Sequence, residues 1–253
     1  MPIHSILSRI SNAYNGFVAG LQNATHSYSQ YGEDIIVANI IDILHIKNPT
    51  YLDIGAHHPT RLSNTYLLYR RGAHGVCIEP DPTLFPLFAR KRSRDTCVNA
   101  GIGLKNNPAA DFYIMSAKTL NTFSHEEAKR CEATGTCHIK EIIKIPLISV
   151  NEIVKKYFCP FPNFVSVDVE GLDFEVLRSF DLMAFRPEVF CVETISYGVR
   201  GIQSKDSNIS DYMANHGYFT FADTHVNTIF VDRDAWSDRR PNASNSRLTT
   251  DSL

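Results

Sequence analysis

Two groups of polar residues lie where apolar runs of the sequence end. Their side chains are of types that can bind a ligand or act in catalysis. In the first group, Asp53 and Gly55 lie in "YLDIGAHHP" (51–59), and Glu79 lies in "CIEPDP" (77–82). An acid at a strand end can accept hydrogen bonds from both hydroxyls of a ribose, and a glycine lets the backbone approach a ligand closely. These residues therefore indicate a nucleoside-binding site.

The turn after Gly55 bears on which nucleoside ligand would fit. A dinucleotide pyrophosphate needs G-x-G-x-x-G, so that backbone amides can reach the phosphates. Here Gly55 is followed by Ala56, His57, His58 and Pro59. Proline has no N–H, and two histidines would crowd a pyrophosphate. A ligand with a ribose and no phosphate fits better, and S-adenosylmethionine (SAM) is the common one. A plain strand–turn–helix connection explains this motif alone equally well.

Neighbouring strand ends supply further cofactor candidates. "VNAGIG" (98–103) places Asn99 and two glycines on the expected adenine side, although it could also be a turn of small residues. Asp53 would order its turn or meet the amino group of methionine. The predicted cofactor-binding residues are Gln30, Asp53, Gly55, Ala56, His57, Glu79, Pro80, Asn99, Ala100 and Asp168.

The second group is acidic. "VSVDVEGLDFEVL" (165–177) places Asp168 and Glu170 on one face of a strand end, because alternate residues share a face. Adjacent, desolvated carboxylates repel, so one of them tends to have a raised pKa, which suits a general base or a metal ligand. Alternatively, Asp168 caps the next helix and Glu170 is solvated. The predicted catalytic residues are Asp168, Glu170, Glu193 and His57.

An oxygen-rich group of this kind could also hold a divalent metal. Asp168, Glu170 and Glu193 could do so together with His225, and Asn227 lies close to His225 in the sequence. No ligand spacing is diagnostic, so a metal requirement is not predicted.

Segment 109–148 interrupts the rhythm of the chain with polar–apolar alternation and turns, which suggests an inserted hairpin or lid. Its polar side chains suit contacts with a hydroxylated acceptor, although it could equally only cover a sheet edge. The predicted substrate-binding residues are His58, Asn121 and His125.

Elsewhere, strands and helices alternate. Strands are predicted at 50–56, 75–80, 95–103, 163–171, 187–194, 218–224 and 227–233, and helices at 33–44, 62–71, 83–91, 149–157, 172–180 and 211–216. Short apolar strands without strict alternation indicate a parallel sheet buried on both faces. The last two strands are too close in sequence for a crossover helix, so they should pair antiparallel. The expected fold is α/β, with a seven-stranded, mostly parallel sheet ending in an antiparallel hairpin and helices on both faces.

Composition and net charge limit the partners and the compartment that we expect for the protein. The chain has 253 residues, a net charge of −2 and a pI near 6.5, so it has no global basic field for nucleic acid.

The chain divides into three predicted parts. Residues 1–27 are predicted as an amphipathic helical extension, for packing or for peripheral membrane contact, 28–236 as the main domain, and 237–253 as a disordered tail. The six cysteines lack metal-site spacing, and although Cys131 and Cys137 could bridge, a reduced cytoplasmic setting is the simpler interpretation. Homo-oligomerisation stays open.

The sequence resembles the FkbM-type methyltransferases. It contains "SQYGED" (29–34), "YLDIGAHHP", "CIEPDP", "VDVEGLDFEVL" (167–177), "RPEVFCVE" (186–193) and "NTIFV" (227–231) in the order typical of that family. The resemblance implies a Rossmann-like class I fold that uses SAM, releases S-adenosylhomocysteine and methylates hydroxyls of sugars, glycans or polyketides. It also implies that Gly55, Glu79 and Asn99 line the cofactor, and that "SQYGED" packs Gln30, Glu33 and Asp34 over the site. The His-His pair and segment 109–148 depart from many members, so the resemblance does not fix the acceptor.

Two other functions stay open at this point. A nicotinamide-dependent oxidoreductase could use a similar sheet, although the glycine fingerprint is missing. A catalytically silent scaffold could keep the fold, although Asp53, Gly55, Glu79 and Asp168 are intact.

Overall fold

The computed structural model describes residues 25–104, 107–135, 137–197 and 203–239. The helix predicted near the N-terminus and residues 240–253 of the predicted tail lie outside the described residues. The strands are β1 (Thr50–Ile54), β2 (His74–Ile78), β3 (Thr96–Val98), β4 (Gly101–Ile102), β5 (Ala109–Met115), β6 (Ile139–Ile148), β7 (Phe164–Val167), β8 (Val189–Glu193), β9 (Ile195–Tyr197), β10 (Gln203–Lys205), β11 (Tyr218–Asp223) and β12 (Asn227–Asp232). The helices are α1 (Glu33–Ile43), α2 (Tyr66–Arg70), α3 (Phe85–Lys91), α4 (His125–Ala133), α5 (Val150–Tyr157), α6 (Asp173–Ser179), α7 (Ser207–Asn215) and α8 (Arg233–Arg239).

Seven strands form the central sheet in the order β3-β2-β1-β7-β8-β12-β11. The first five are parallel to one another, and β12 runs antiparallel to both β8 and β11. The predicted sheet, with its closing antiparallel hairpin and its α/β class, is therefore confirmed. Strand β12 lies between β8 and β11 in the sheet, although β11 comes between β8 and β12 in the chain.

Both faces of the sheet are buried, as the continuous apolar strands predict. In β1, Leu52 and Ile54 face a core that includes Val165, whereas Tyr51 faces a second core with Val37 of α1. Each fully buried aliphatic side chain contributes roughly 1.5–3 kcal/mol, so the two cores hold the sheet rigidly. This rigidity fixes the positions of the strand ends.

Segment 109–148 forms its own small layer. Strands β5 and β6 pair antiparallel from Ala109↔Pro146 to Met115↔Ile139, and α4 lies in the connection between them. Cys131 and Cys137 form a disulfide at the end of α4, so the structure shows the bridged alternative for these two cysteines. Strand β4 pairs parallel with β6 and links this layer to the chain after β3.

Some boundaries differ from the predictions. Helix α2 begins only at Tyr66, because the preceding residues form turns around the His57–Pro59 loop. The strand predicted at 95–103 divides into β3 and β4. Helix α8 continues to Arg239, three residues into the tail predicted from residue 237. None of the helices in the described part of the chain has the length and apolar character needed to cross a membrane.

Candidate active site

The carboxyl ends of β1, β2, β7 and β8 border a cavity of about 360 Å³. Small-molecule sites in proteins commonly fall in this size range, and open α/β sheets bind ligands at this edge. The predicted site residues that line the cavity are Gln30, Gly55, His57, Glu79, Pro80, Ala100, Asn121, Asp168, Glu170 and Glu193. The sheet therefore brings together residues that are distant in sequence.

Gly55 lies where two strand ends meet. Its φ is +79°, and a Cβ at this position would lie 1.7 Å from the backbone oxygen of Asp168. Glycine alone adopts this conformation without strain and leaves this space open. The backbone N–H groups of Gly55 and Ala56 both donate to the Ile78 carbonyl, which fixes the turn against β2.

Glu79 is held by backbone amides. Its Oε2 accepts the N–H of His57 at 2.6 Å, and its Oε1 accepts the N–H of Asp81 at 2.7 Å. Burial is the main cause that raises the pKa of Glu79 to about 8; the two backbone hydrogen bonds oppose this shift, and the charge of the nearby Asp81 adds to it. The carboxylate is thus oriented by its own loop and faces the cavity.

Asn99 supports this loop from outside the cavity lining. Its Nδ2 donates to the carbonyl oxygens of Glu79 and Pro80 at 2.8 and 2.9 Å. The signal "VNAGIG" therefore located a residue that positions the Glu79–Pro80 backbone, while Ala100 and Gly101 line the cavity.

Asp53 lies below the cavity in a buried polar cluster. Its Oδ2 accepts the Thr65 hydroxyl at 2.5 Å and lies 3.8 Å from Nη1 of the buried Arg92. Burial raises the pKa of Asp53, and Arg92 opposes that shift. Of the two roles considered for Asp53, these contacts match ordering of the turn, and the structure does not place its carboxylate in the cavity wall.

At the ends of β7 and β8, Asp168, Glu170 and Glu193 form an acid cluster. One carboxylate oxygen from each residue lies within 4.8 Å of the others. Burial, followed by the charges of neighbouring acids, raises the pKa of Asp168 to about 6 and raises the pKa values of Glu170 and Glu193 well above their usual range. The predicted convergence of these three carboxylates is therefore present. His225 does not belong to this group in the described part of the chain; its backbone N–H donates to Asp223.

The loop after β7 is ordered by a residue that sequence reasoning overlooked. Asp173 Oδ1 accepts the N–H of Val169 at 2.9 Å, and its Oδ2 accepts the N–H of Gly171 at 3.2 Å. Glu170 and Gly171 both have positive φ, at 52° and 94°. Asp173, rather than Asp168, therefore ties this loop to α6, and its position at the start of a helix after a glycine was the available signal.

Segment 109–148 forms one wall of the cavity. Asn121 and Lys118 attach it to the loop after β2, because Asn121 Nδ2 donates to Asp81 Oδ2 at 3.0 Å and Lys118 Nζ donates to Thr83 Oγ1 at 2.6 Å. The predictions missed the aromatic lining of this wall, Phe112 and Phe123.

Two predicted substrate residues lie outside the lining. His125 begins α4 and its Nδ1 lies 3.0 Å from the Tyr113 hydroxyl, whereas His58 Nδ1 accepts the N–H groups of Thr60 and Arg61 within its own loop. His57 does line the cavity, and burial lowers its pKa, which favours a neutral imidazole.

The "SQYGED" segment closes the remaining side. Gln30 lines the cavity, and Glu33 is fully buried beneath it. Glu33 Oε1 accepts the Thr224 hydroxyl at 2.6 Å and Nδ2 of Asn227 at 3.0 Å. Asn227, the first residue of β12, pairs with Glu193 in the sheet, and its Oδ1 is buried without a hydrogen-bond partner.

One comparison with known proteins assigns a family to the part of the chain that contains this site. The family model described as Methyltransferase FkbM domain matches residues 53–220. No curated protein shows significant sequence similarity to the chain. A solved TehB-like SAM-dependent methyltransferase from Corynebacterium glutamicum aligns with a TM-score of 0.38 at 12% identity over 89% of this chain and 99% of that chain.

A second solved structure is the 1,6-didemethyltoxoflavin-N1-methyltransferase of Burkholderia thailandensis with bound 1,6-didemethyltoxoflavin and S-adenosylhomocysteine. It aligns with a TM-score of 0.38 at 9% identity over 91% of this chain and 89% of that chain. The family match spans most of the chain and includes the strand ends that border the cavity. The chain therefore belongs to the methyltransferase FkbM family.

Proposed function

We propose that the protein is an O-methyltransferase that methylates a hydroxyl of a sugar, a glycan or a related natural product. The observation that carries this proposal is the position of the acid cluster. It lies beside the part of the cavity that Gly55 and Glu79 line, which we call the cofactor half. An alcohol must lose its proton as its oxygen is methylated, and a positioned acceptor for that proton aids the reaction. The three converging carboxylates of Asp168, Glu170 and Glu193 support this proposal, because any of them could accept that proton.

The cofactor half of the cavity fits a phosphate-free nucleoside. Each carboxylate oxygen of Glu79 accepts one backbone amide, and a carboxylate has about four acceptor positions. Two positions thus stay available for the hydroxyls of a ribose. Gly55 presents only backbone at the turn, where a side chain would meet Asp168. When bound here, SAM would supply a methyl group already activated on its sulfonium.

The protein's own contribution would be positioning and proton removal. Alignment of two reactants can supply roughly 7–11 kcal/mol of barrier reduction. The backbone of Asp168 abuts Gly55, so the cofactor turn and the acid cluster share one fixed point. A carboxylate oxygen of Asp168 or Glu170 would then take the hydroxyl proton.

The acceptor would bind against segment 109–148. This wall combines the aromatic rings of Phe112 and Phe123 with the polar side chains of Asn121 and Thr122. Sugars present apolar ring faces and hydroxyl edges, so a wall of this composition suits them. Asn121 and Lys118 already bond to the loop after β2, which holds this wall over the cofactor half.

Calorimetric titration with S-adenosylhomocysteine, with NAD⁺ as the control ligand, tests the cofactor. We expect micromolar binding of S-adenosylhomocysteine and none of NAD⁺; the reverse would support an oxidoreductase and overturn the proposal. Incubation with SAM and a panel of sugar, glycan and amine acceptors, read by mass spectrometry, then tests the bond formed. Methylation confined to amines would overturn O-methylation while leaving the cofactor assignment intact.

A further inference from the structure

We propose that Asp168, Glu170 and Glu193, together with Asn227, bind a hard divalent cation such as Mg²⁺ or Mn²⁺. This inference deepens the proposed function and rests on it, because the cation would lie where the acceptor hydroxyl binds.

The three carboxylates already converge. Their nearest oxygens lie within 4.8 Å of one another. Three atoms that close share a centre no more than about 2.8 Å from each, which small side-chain rotations would bring to the roughly 2.0–2.6 Å of Mg²⁺ and Ca²⁺ bonds. Glu193 is the last residue of β8, and Asp168 and Glu170 follow directly after β7, the strand that pairs with β8.

Little positive charge from the protein reaches this point. Among the described residues that line the cavity, Lys118 alone has a cationic side chain, and its Nζ bonds to Thr83. Arg130 lies near Glu170 but forms its ion pair with Glu127. Desolvated like charges are costly unless they are paired or coordinate a metal, so this cluster needs either shared protons or a cation.

Asn227 supplies an independent indication of a ligand. Its side chain is 3% exposed, and its Oδ1 has no hydrogen-bond partner. Nδ2 donates to the Glu33 carboxylate, so the reversed orientation of the amide would set two acceptors against each other. Asn227 lies directly opposite Glu193 in the sheet and lines the same cavity. With the three carboxylates, this buried and unpartnered oxygen would make an all-oxygen ligand set, which hard cations prefer.

The cation would change how the hydroxyl loses its proton. An acceptor oxygen bound to the cation would lose electron density, which weakens its O–H bond. The proton would pass to a carboxylate oxygen of the cluster that does not bind the cation, and the electron pair of the O–H bond would stay on the acceptor oxygen. That oxygen would form the new bond to the methyl carbon while the bond from this carbon to the sulfonium sulfur breaks, its electron pair goes to sulfur, and S-adenosylhomocysteine leaves. Nothing is oxidised or reduced in this step.

The full chain, stripped with EDTA and then dialysed free of it, is titrated with Mn²⁺, and bound and free Mn²⁺ are separated by electron paramagnetic resonance. We expect one Mn²⁺ per chain, displaced by Mg²⁺. Asp168→Asn and Glu193→Gln should each weaken Mn²⁺ binding at least about tenfold, since even partners behind the ligands matter by that much. Glu175→Gln, at an exposed carboxylate on α6, is the matched control and should bind as wild type does.

Thermal unfolding distinguishes lost ligands from lost folding. Without metal, the Asp168→Asn and Glu193→Gln variants should unfold at the same temperature as wild type or higher, because each removes one of several repelling acids. Mn²⁺ should raise the unfolding temperature of wild type and Glu175→Gln only.

Absence of Mn²⁺ binding to wild type at millimolar concentration would overturn the cation site, as would equal binding by all variants. S-adenosylhomocysteine binding measured in EDTA reports separately on the proposed function. Cofactor binding without Mn²⁺ binding would sink this inference alone, whereas Mn²⁺ binding without cofactor binding would sink the proposed function alone.

Discussion

Buried carboxylates have different hydrogen-bond environments in the two halves of the cavity. Glu79, in the cofactor half, has one backbone N–H on each oxygen. Asp168, Glu170 and Glu193, in the acid cluster, face one another, and Asn227 beside them keeps an unpartnered oxygen. In the first half, the Glu79 carboxylate is therefore held in place without a ligand. The second half holds repulsion that a proton or a cation would relieve, so the halves should respond differently to mutation, pH and metal.

The largest expected effect is at the point where the halves meet. Gly55→Ala would force an L-residue into φ +79° and set its Cβ 1.7 Å from the Asp168 backbone oxygen. Left-handed strain together with overpacking should lower the free energy of unfolding by roughly 2–5 kcal/mol, as measured by urea denaturation.

Gly72→Ala is the matched control for this change. Gly72 has φ +101°, but a Cβ added there would meet nothing within 4 Å, so only the strain of about 1–2 kcal/mol should remain. Equal losses in the two variants would show that contact with Asp168 does not matter.

The next effect separates the two halves. Glu79→Gln would replace a carboxylate oxygen with an amide group that cannot accept one of the two backbone N–H bonds. S-adenosylhomocysteine binding should weaken roughly tenfold to a hundredfold, the usual value of hydrogen bonds to a charged group, as measured by calorimetry. Glu193→Gln should leave this affinity within about threefold; a comparable loss there would mean that the acid cluster also holds the cofactor.

The pH dependence of cofactor binding should follow Glu79. Burial raises its pKa to about 8, and a ribose would bind the carboxylate, which accepts hydrogen bonds, rather than the acid. Binding therefore favours the deprotonated form, and affinity should rise up to about tenfold between pH 7 and pH 9. The Glu79→Gln variant should lack this rise, and an equal rise in that variant would assign the titration to another group.

The smallest effect concerns the wall formed by segment 109–148. Asn121→Ala would remove a bond to the buried Asp81 and a second bond, at 2.8 Å, from the N–H of Met115. The free energy of unfolding should fall by about 1–2 kcal/mol. Lys118→Ala would remove an exposed bond to Thr83 and should cost less than about 0.5 kcal/mol. Urea denaturation of both variants measures this difference, and a larger loss for Lys118→Ala would contradict it.

Much of the fold followed from local pattern. Short apolar runs separated by helical periodicity predicted the parallel sheet, and the short link between the last two runs predicted their antiparallel pairing. Helix α5 was likewise predicted from Ser149 and Glu152. The backbone N–H of Ser149 donates to the Glu152 carboxylate at 3.4 Å. These features depend on neighbours in the chain, so the sequence contains their causes directly.

The site residues divide along the same line. Gly55, Glu79, Asp168 and Glu193 were found because strand ends of a parallel sheet meet at one edge. Asp53 and Asn99 occupy equally suggestive positions, but Asp53 points to Thr65 and Arg92, and Asn99 holds a backbone turn. One residue's difference along a strand decides whether a side chain faces the cavity or a core.

By itself, the sequence determined the order of elements, the edge of the sheet at which the cavity lies, and the residue types available there, because each depends on short-range periodicity and turn chemistry. Only the tertiary structure decided that β12 inserts beside β8, which sets Asn227 opposite Glu193, and that Phe112 and Phe123 close the cavity from segment 109–148. Those contacts join residues that are far apart in the chain, and they depend on how the two cores pack rather than on any local pattern.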